Sequence, residues 1–181
     1  AEVDNCAAIS RAPIEFRVGT DALAVVINPE NDWATDVTME ELAAIYTAEK
    51  WSDVNAEWPE EAIERYIPGT DSGTFDYFVE EVFEEDPEPL LSAPNTQFSE
   101  DDNVLVIGVE GSPYATGFFG YAYYTENADA LGIMDIESVE PSFETVEGGD
   151  YALARPLFIY SDATIMSEKP QVAAYVNYFL S

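Results

Sequence analysis

The residues best suited to chemistry lie in one Gly-rich turn, Pro68-Gly69-Thr70-Asp71-Ser72-Gly73-Thr74. Apolar residues at helical spacing follow it, so the sequence predicts that a helix begins near Thr74. The first N–H groups of a helix have no acceptor within the helix, and the helix dipole is positive there. Together with the hydroxyls of Thr70, Ser72 and Thr74, these N–H groups would form an oxyanion site. A capped helix without any ligand is an equally supported interpretation of the turn.

The segment Asp71-Ser72-Gly73 also resembles the sequence around the nucleophilic serine of some proteases. That hypothesis is disfavoured because the sequence contains no His to act as a general base. A single Cys, Cys6, rules out a disulfide or a Cys-based zinc site within this sequence. We therefore predict a protein that binds its ligand without transforming it, with no catalytic residue, cofactor or metal. A hydrolase that uses two carboxylates is the less favoured alternative.

The sequence is strongly acidic, with 37 Asp or Glu and 6 Lys or Arg among 181 residues and a formal net charge of −31. Such a charge repels nucleic-acid phosphates and anionic lipid surfaces, so we predict neither as a partner. A hydrophobic fraction of 47% is nevertheless high enough for a folded core. We interpret the acidity as a surface adapted to salty (halophilic) surroundings, in preference to a calcium-binding surface, because no EF-hand loop is present.

Strand-like and helix-like segments alternate along the sequence, which favours an α/β fold. The apolar run at residues 22–27 predicts a buried strand, and residues 63–67 predict a short one. Thr38 and Glu41 form a predicted capping box at the start of a helix. The other predicted elements are a loop over 84–98, a helix with Ser99 as N-cap and Asp102 at the capping-box position, a strand that becomes a helix within 116–124, a strand over 133–136, a strand over 151–160 and a helix over 172–180.

No apolar run reaches the length of a transmembrane segment. The first five residues lack the basic and apolar regions of a signal peptide. These two observations are compatible with a cytosolic protein and with a mature or truncated secreted protein.

The string PGTDSGTFDYF at residues 68–78 is specific, and five further segments occur with it in a matching order: 21–31, 38–45, 99–106, 117–124 and 155–160. Together they resemble the PstS-type phosphate-binding proteins, the extracytoplasmic receptors of phosphate ABC importers. The resemblance implies the α/β fold of type II periplasmic binding proteins, which have two lobes. One lobe of this sequence would be a mixed sheet flanked by helices, and the other would be partial. It also implies a location in the periplasm or outside the cell. Inorganic phosphate and an ABC permease are the implied partners.

In that family an S-G-T motif at a helix N-terminus contacts phosphate, which implies a ligand-binding role for Ser72, Gly73 and Thr74. Thr70 and Asp71 of the same turn complete the predicted set. At the positions where family members carry an arginine, this sequence has Pro68 in one alignment and the stretch 92–96 in another. A structural or interaction module that reuses the fold, with reduced or lost phosphate binding, is therefore the alternative function.

The resemblance also predicts a division of the sequence into three parts. Residues 1–17 would be a crossover or remnant of the first lobe, 18–149 the second lobe, and 150–181 the return strand and C-terminal helix of the first lobe. The N-terminal part of the first lobe has no counterpart in this sequence. We therefore expect the apolar residues of 151–181 to pack on a missing segment, on the permease or on another chain.

Overall fold

In a computed structural model of the protein, the described residues are Cys6, Ala8 and residues 12–181. They fall into two compact units, one formed by Ala22–Ala154 and the other by the described parts of Ala1–Asp21 together with Arg155–Ser181. The predicted lobe boundaries after residues 17 and 149 stay predictions. Much of the predicted crossover at residues 1–17 lies outside the described residues.

The described strands are β1 (Ile14–Ile27), β2 (Asp36–Val37), β3 (Glu64–Pro68), β4 (Thr96–Ser99), β5 (Ala115–Gly120), β6 (Gly132–Ile133), β7 (Asp135–Ile136) and β8 (Ala154–Ser161). One mixed sheet has the order β4-β3-β5-β1-β6, and β8 also pairs with β1. β3 runs parallel to β4 and β5, whereas β1 runs antiparallel to β5 and β6. β2 and β7 form a separate parallel pair.

The described helices are α1 (Met39–Ile45), α2 (Trp51–Val54), α3 (Gly73–Phe83), α4 (Glu88–Leu91), α5 (Asp102–Glu110), α6 (Tyr121–Glu126), α7 (Phe143–Gly148), α8 (Ala163–Glu168) and α9 (Pro170–Phe179). The chain therefore passes from β3 through α3 and α4 to β4, and from β4 through α5 to β5. The predicted fold class, a mixed sheet with flanking helices, is confirmed.

The second half of β1 is buried on both faces of the sheet. Leu23, Val25 and Ile27 belong to a core that includes residues of α1 and α3. Ala24 and Val26 point to the opposite side and pack with residues of α5. Because side chains alternate across a strand, a continuous apolar run is what a strand covered on two faces requires. The prediction of a buried strand over 22–27 is confirmed.

Local signals predicted the start of α1 correctly. The Thr38 hydroxyl accepts from the Glu41 N–H at 3.1 Å, and the Thr38 N–H donates to the Glu41 carboxylate at 3.0 Å. The helix at the C-terminal end and the strand that becomes a helix within 116–124 are also present as α9, β5 and α6.

Three predicted elements were wrong in detail. The expected loop over 84–98 contains α4 and most of β4. Ser99 is the last residue of β4, and the N-cap of α5 is Asp101. The expected strand over 133–136 is divided at the buried Met134 into β6 and β7, which belong to different sheets.

The smaller unit contains most of β8, with α8 and α9. Within it, the Tyr160 hydroxyl donates to the Glu15 carboxylate at 2.8 Å, and Arg155 lies 3.6 Å from the Asp21 carboxylate. Val176 is buried, whereas Leu157, Phe158 and Phe179 are 42%, 37% and 44% exposed. Part of the apolar surface expected for residues 151–181 is therefore present.

Within the described residues, no helix combines the length and apolarity that crossing a bilayer requires.

Candidate anion-binding site

The predicted site is the turn that follows β3. Pro68 is the last residue of the strand and is buried. The Gly69 N–H donates to the Ser99 carbonyl at 3.1 Å, so the end of β3 remains joined to the end of β4. The Ser72 N–H then donates to the Gly69 carbonyl at 3.0 Å and closes a tight turn. The chain thus reverses from the sheet edge directly into α3.

Ser72 is the N-cap of α3. Its backbone is extended, with φ −87° and ψ 129°, and its hydroxyl oxygen accepts from the Thr74 N–H at 3.2 Å. The helix continues for 11 residues, with Phe75, Phe78 and Val79 buried in the core. Burial of this face fixes the position of α3, so the N-terminus of the helix is held rigidly beside the turn.

The five predicted ligand-binding residues lie together in this turn. Thr70, Asp71 and Gly73 are exposed, and Ser72 and Thr74 are half-buried. Among the described residues, the hydroxyls of Thr70 and Thr74 donate no hydrogen bond to the protein. The turn therefore presents hydroxyl donors beside a helix N-terminus, an arrangement that suits an oxyanion.

The turn lies at one edge of the sheet, where the carboxyl ends of β4 and β5 also lie. β3, β4 and β5 run in the same direction, and each is followed by a helix that begins at that edge. In open α/β sheets, ligands bind beyond the carboxyl ends of parallel strands. The position of the turn in the fold therefore matches the position expected for a ligand site.

The junction between β4 and α5 is a neighbour of the turn that the sequence did not predict. Asp101 caps α5 by accepting from the Asn103 N–H at 3.0 Å, and its own N–H donates to the Ser99 hydroxyl at 3.0 Å. The Glu100 side chain lies against Gly69, where it occupies the space that a β-carbon would take. A prediction of residues 96–99 as a strand parallel to β3 would have placed Glu100 and Asp101 next to the 69–74 turn.

The charges around this second junction are negative. Burial, reinforced by the neighbouring carboxylates of Asp101 and Glu100, raises the pKa of Asp102. An anion in the 69–74 turn would therefore be held by local donors and against the charge of its surroundings.

Arg65 is the arginine nearest in sequence to the turn, and its guanidinium is used elsewhere. The side chain is completely buried. It donates to the carbonyls of Ile45 at 2.6 and 2.9 Å, of Pro94 at 2.6 Å, and of Ala48. Burial lowers its pKa to about 10, so the group stays charged at neutral pH. Arg65 therefore ties the end of α1 to the segment before β4.

The acidic side chains and the single cysteine are the remaining candidates for chemistry. No group of three or more Cys, Asp or Glu side chains in the described part of the chain is arranged to hold a metal ion. Cys6 has a free thiol and is half-buried in the smaller unit.

A mixed sheet with helices on both faces and a capped turn at the carboxyl ends of its parallel strands form the architecture of a periplasmic-binding-protein lobe. The family model described as the PBP superfamily domain matches residues 1–181, and the chain belongs to that family. Within it, the chain is a homologue of the PstS-type phosphate-binding proteins.

Three relatives document this homology. Protein SphX of Synechocystis sp. is 40% identical over 179 residues, which cover 93% of this chain and 52% of the relative. Phosphate-binding protein PstS of Staphylococcus haemolyticus is 33% identical over 173 residues, covering 92% and 53%. The crystal structure of a possible phosphate-binding protein from Planctomyces limnophilus superposes with a TM-score of 0.84 at 40% identity, covering 99% of this chain and 66% of that one. The chain spans about half the length of the curated relatives it matches.

Proposed function

We propose that this chain binds phosphate, or a closely similar oxyanion, through the turn at residues 69–74. The observation that carries the proposal is the Ser72-capped N-terminus of an 11-residue helix, placed at the edge where three parallel strands end. Relatives that are named as phosphate-binding proteins support phosphate as the ligand.

Each residue of the turn has a distinct part in the proposed mechanism. The hydroxyls of Ser72 and Thr74 donate to phosphate oxygens, and the positive end of the α3 dipole attracts the anion. The exposed Thr70 hydroxyl adds a further donor. The Asp71 carboxylate accepts a hydrogen bond from the P–O–H group that phosphate still carries near neutral pH. Binding needs no bond to be made or broken, and relatives named as binding proteins rather than enzymes support that role.

A phosphate titration followed by NMR of backbone amides tests the proposal directly, because it detects weak binding residue by residue. We expect the amide signals of Gly73 and Thr74 to shift with added phosphate and to saturate. Thr74→Val removes one hydroxyl at nearly constant shape and should weaken binding about tenfold. Thr35→Val, at an exposed threonine outside the site, should leave the affinity unchanged.

Ser72→Asp separates ligand binding from helix capping. Aspartate is as good an N-cap as serine, so the fold should persist, but the added charge should abolish phosphate binding. Ser142→Asp places the same charge at the N-cap of α7 and is the matched control, since the Ser142 hydroxyl accepts from the Thr145 N–H at 3.2 Å. Saturating shifts that survive Ser72→Asp, or no shifts at Gly73 and Thr74 in the parent chain, would refute this site.

The proposal extends to delivery of phosphate to an ABC permease by a protein located outside the cytoplasm. The homology to PstS-type proteins supports both statements. A covering partner for residues 151–181, either the permease or another protein chain, also stays a prediction. The exposed side chains of Leu157, Phe158 and Phe179 support it.

An interaction module with reduced phosphate binding is the second candidate. Two observations favour it: the Arg65 guanidinium is occupied by backbone carbonyls, and the Glu100 carboxylate lies against Gly69 beside the turn. An unresponsive turn in the NMR titration would support this candidate over phosphate binding.

A further inference from the structure

A groove of about 500 Å³ lies along α3, between that helix and the segment that leads into α4. Its floor is apolar and includes Phe75, Val79 and Leu91. Phe75 and Val79 are buried members of the core, whereas Leu91 is 40% exposed at the groove. The groove is therefore large enough for an apolar side chain of another molecule, and Leu91 is the most exposed of its apolar residues.

Three carboxylates line the same groove: Asp76, Glu80 and Glu85. Asp76 and Glu80 are one helical turn apart on α3, so they project from the same face. Two like charges at that spacing oppose each other, and no basic residue lines the groove to relieve the repulsion. A positively charged partner would remove this repulsion and gain three contacts.

The arrangement distinguishes between kinds of cation. A single metal ion does not fit, because no three acidic side chains in the described residues converge as metal ligands. The carboxylates are spread along a groove whose floor is apolar. The complementary partner therefore carries several separated positive charges with an apolar side chain between them, as a basic amphipathic protein segment does.

We propose that this groove is a docking site for a basic segment of a partner protein. A Leu or Phe side chain of the partner enters the groove, and flanking Lys or Arg side chains pair with Asp76, Glu80 and Glu85. Thr70 of the 69–74 turn also lines the groove, but the proposal does not require that the turn bind phosphate.

The test uses a defined probe and removes general attraction by the chain's net charge. A fluorescein-labelled peptide, Gly-Arg-Lys-Leu-Lys-Arg-Gly, is compared with the same peptide carrying Ser in place of Leu. Anisotropy is recorded in 150 mM NaCl, where the Debye length is about 8 Å. We expect the Leu peptide to bind at least about tenfold more tightly, because only it buries an apolar side chain.

Variants locate the binding. The double variant Glu80→Gln/Glu85→Gln should weaken the Leu peptide by about tenfold. Its control, Glu144→Gln/Glu147→Gln, makes the same change in net charge at two exposed positions of α7 and should leave binding within about twofold. Equal losses in the two double variants would show that only the net charge attracts the peptide and would overturn the proposal.

A charge reversal gives an independent answer. The variant Glu80→Lys/Glu85→Lys should lose the basic peptide and acquire binding of Gly-Glu-Asp-Leu-Asp-Glu-Gly. Each variant should remain folded by circular dichroism, because Glu80 and Glu85 are exposed. Failure of the folded variant to bind the acidic peptide, or equal affinity of the parent chain for the Leu and Ser peptides, would also overturn the proposal.

Discussion

Replacing Arg65 by methionine should destabilise the larger unit more than any surface change. Methionine has a similar length and is apolar, so Arg65→Met removes the charge and the donors without leaving a large cavity. It leaves the buried Ile45 carbonyl and the half-buried Ala48 carbonyl without their guanidinium donor, whereas the exposed Pro94 still accepts from the Thr96 hydroxyl at 3.3 Å.

The magnitude follows from the Ile45 and Ala48 carbonyls, which lose this donor. A buried polar group that loses its partner costs about 1–3 kcal/mol. Relief from burying a guanidinium offsets part of the sum, because a desolvated charge is itself unfavourable. We expect a net loss of about 2–3 kcal/mol, which is a substantial fraction of the 5–15 kcal/mol typical of a folded domain. Arg65→Lys keeps the charge but reaches fewer carbonyls, so its loss should be intermediate.

Urea unfolding followed by tryptophan fluorescence provides the assay. All three tryptophans, Trp33, Trp51 and Trp58, belong to the larger unit, so the signal reports on the unit that contains Arg65. Lys50→Met removes a half-buried cation of the same unit whose ion pair with Glu60, at 3.2 Å, lies at the surface; such pairs contribute about 0–1 kcal/mol, so the unfolding midpoint should change little. An Arg65→Met midpoint equal to that of Lys50→Met would refute the reasoning that the carbonyls depend on this side chain.

Three further predictions concern stability. Gly117→Ala should cost about 2 kcal/mol or more in urea unfolding, because the new β-carbon would meet the Tyr66 carbonyl of the adjacent strand; a wild-type midpoint would contradict this. Asp101→Ala should cost about 1 kcal/mol by loss of the α5 N-cap, and Asp101→Ser should recover most of it. Burial raises the pKa of the Tyr46 and Tyr151 hydroxyls. Above pH 10 these hydroxyls lose their protons in the unfolded chain but keep them in the folded chain. The free energy of unfolding should therefore fall by up to about 1.4 kcal/mol per pH unit for each tyrosine. Unfolding free energies that stay constant from pH 9 to 11 would contradict the third prediction.

Local signals account for the parts of the fold that the sequence predicted. The Thr38 capping box involves residues three apart, and the buried run at 22–27 needs only the alternation of a strand. The 69–74 turn was located for the same reason, since a glycine-rich turn before an apolar helical pattern is contained within about fifteen residues.

Pairing between distant segments accounts for what was missed. β4 has only four residues, and it is defined by its parallel pairing with β3 rather than by its composition. Arg65 binds carbonyls of Ile45, Ala48 and Pro94, which are 20, 17 and 29 residues away in the sequence. No pattern within a sequence window distinguishes such a buried arginine from an exposed one, because its partners are backbone groups that every residue carries.

The net charge of −31 makes salt the perturbation that best separates the two proposed sites. An anion approaching the 69–74 turn is repelled by the whole chain and attracted only at short range by the N-terminus of α3 and the hydroxyls of the turn. Raising the ionic strength from about 0.01 to 0.1 M shortens the Debye length from about 30 to 10 Å and screens the repulsion, so phosphate affinity should rise. The basic peptide in the groove is attracted by the same field, so its affinity should fall.

Measuring both affinities in one salt series gives slopes of opposite sign. Potassium glutamate and sodium chloride should be compared, because chloride itself competes for an anion site and would flatten the rise for phosphate. Ser72→Asp supplies the internal control, since it should remove the phosphate response and leave the peptide slope unchanged. A phosphate affinity that falls with potassium glutamate would mean that long-range attraction holds the anion, and the local mechanism proposed for the turn would be wrong.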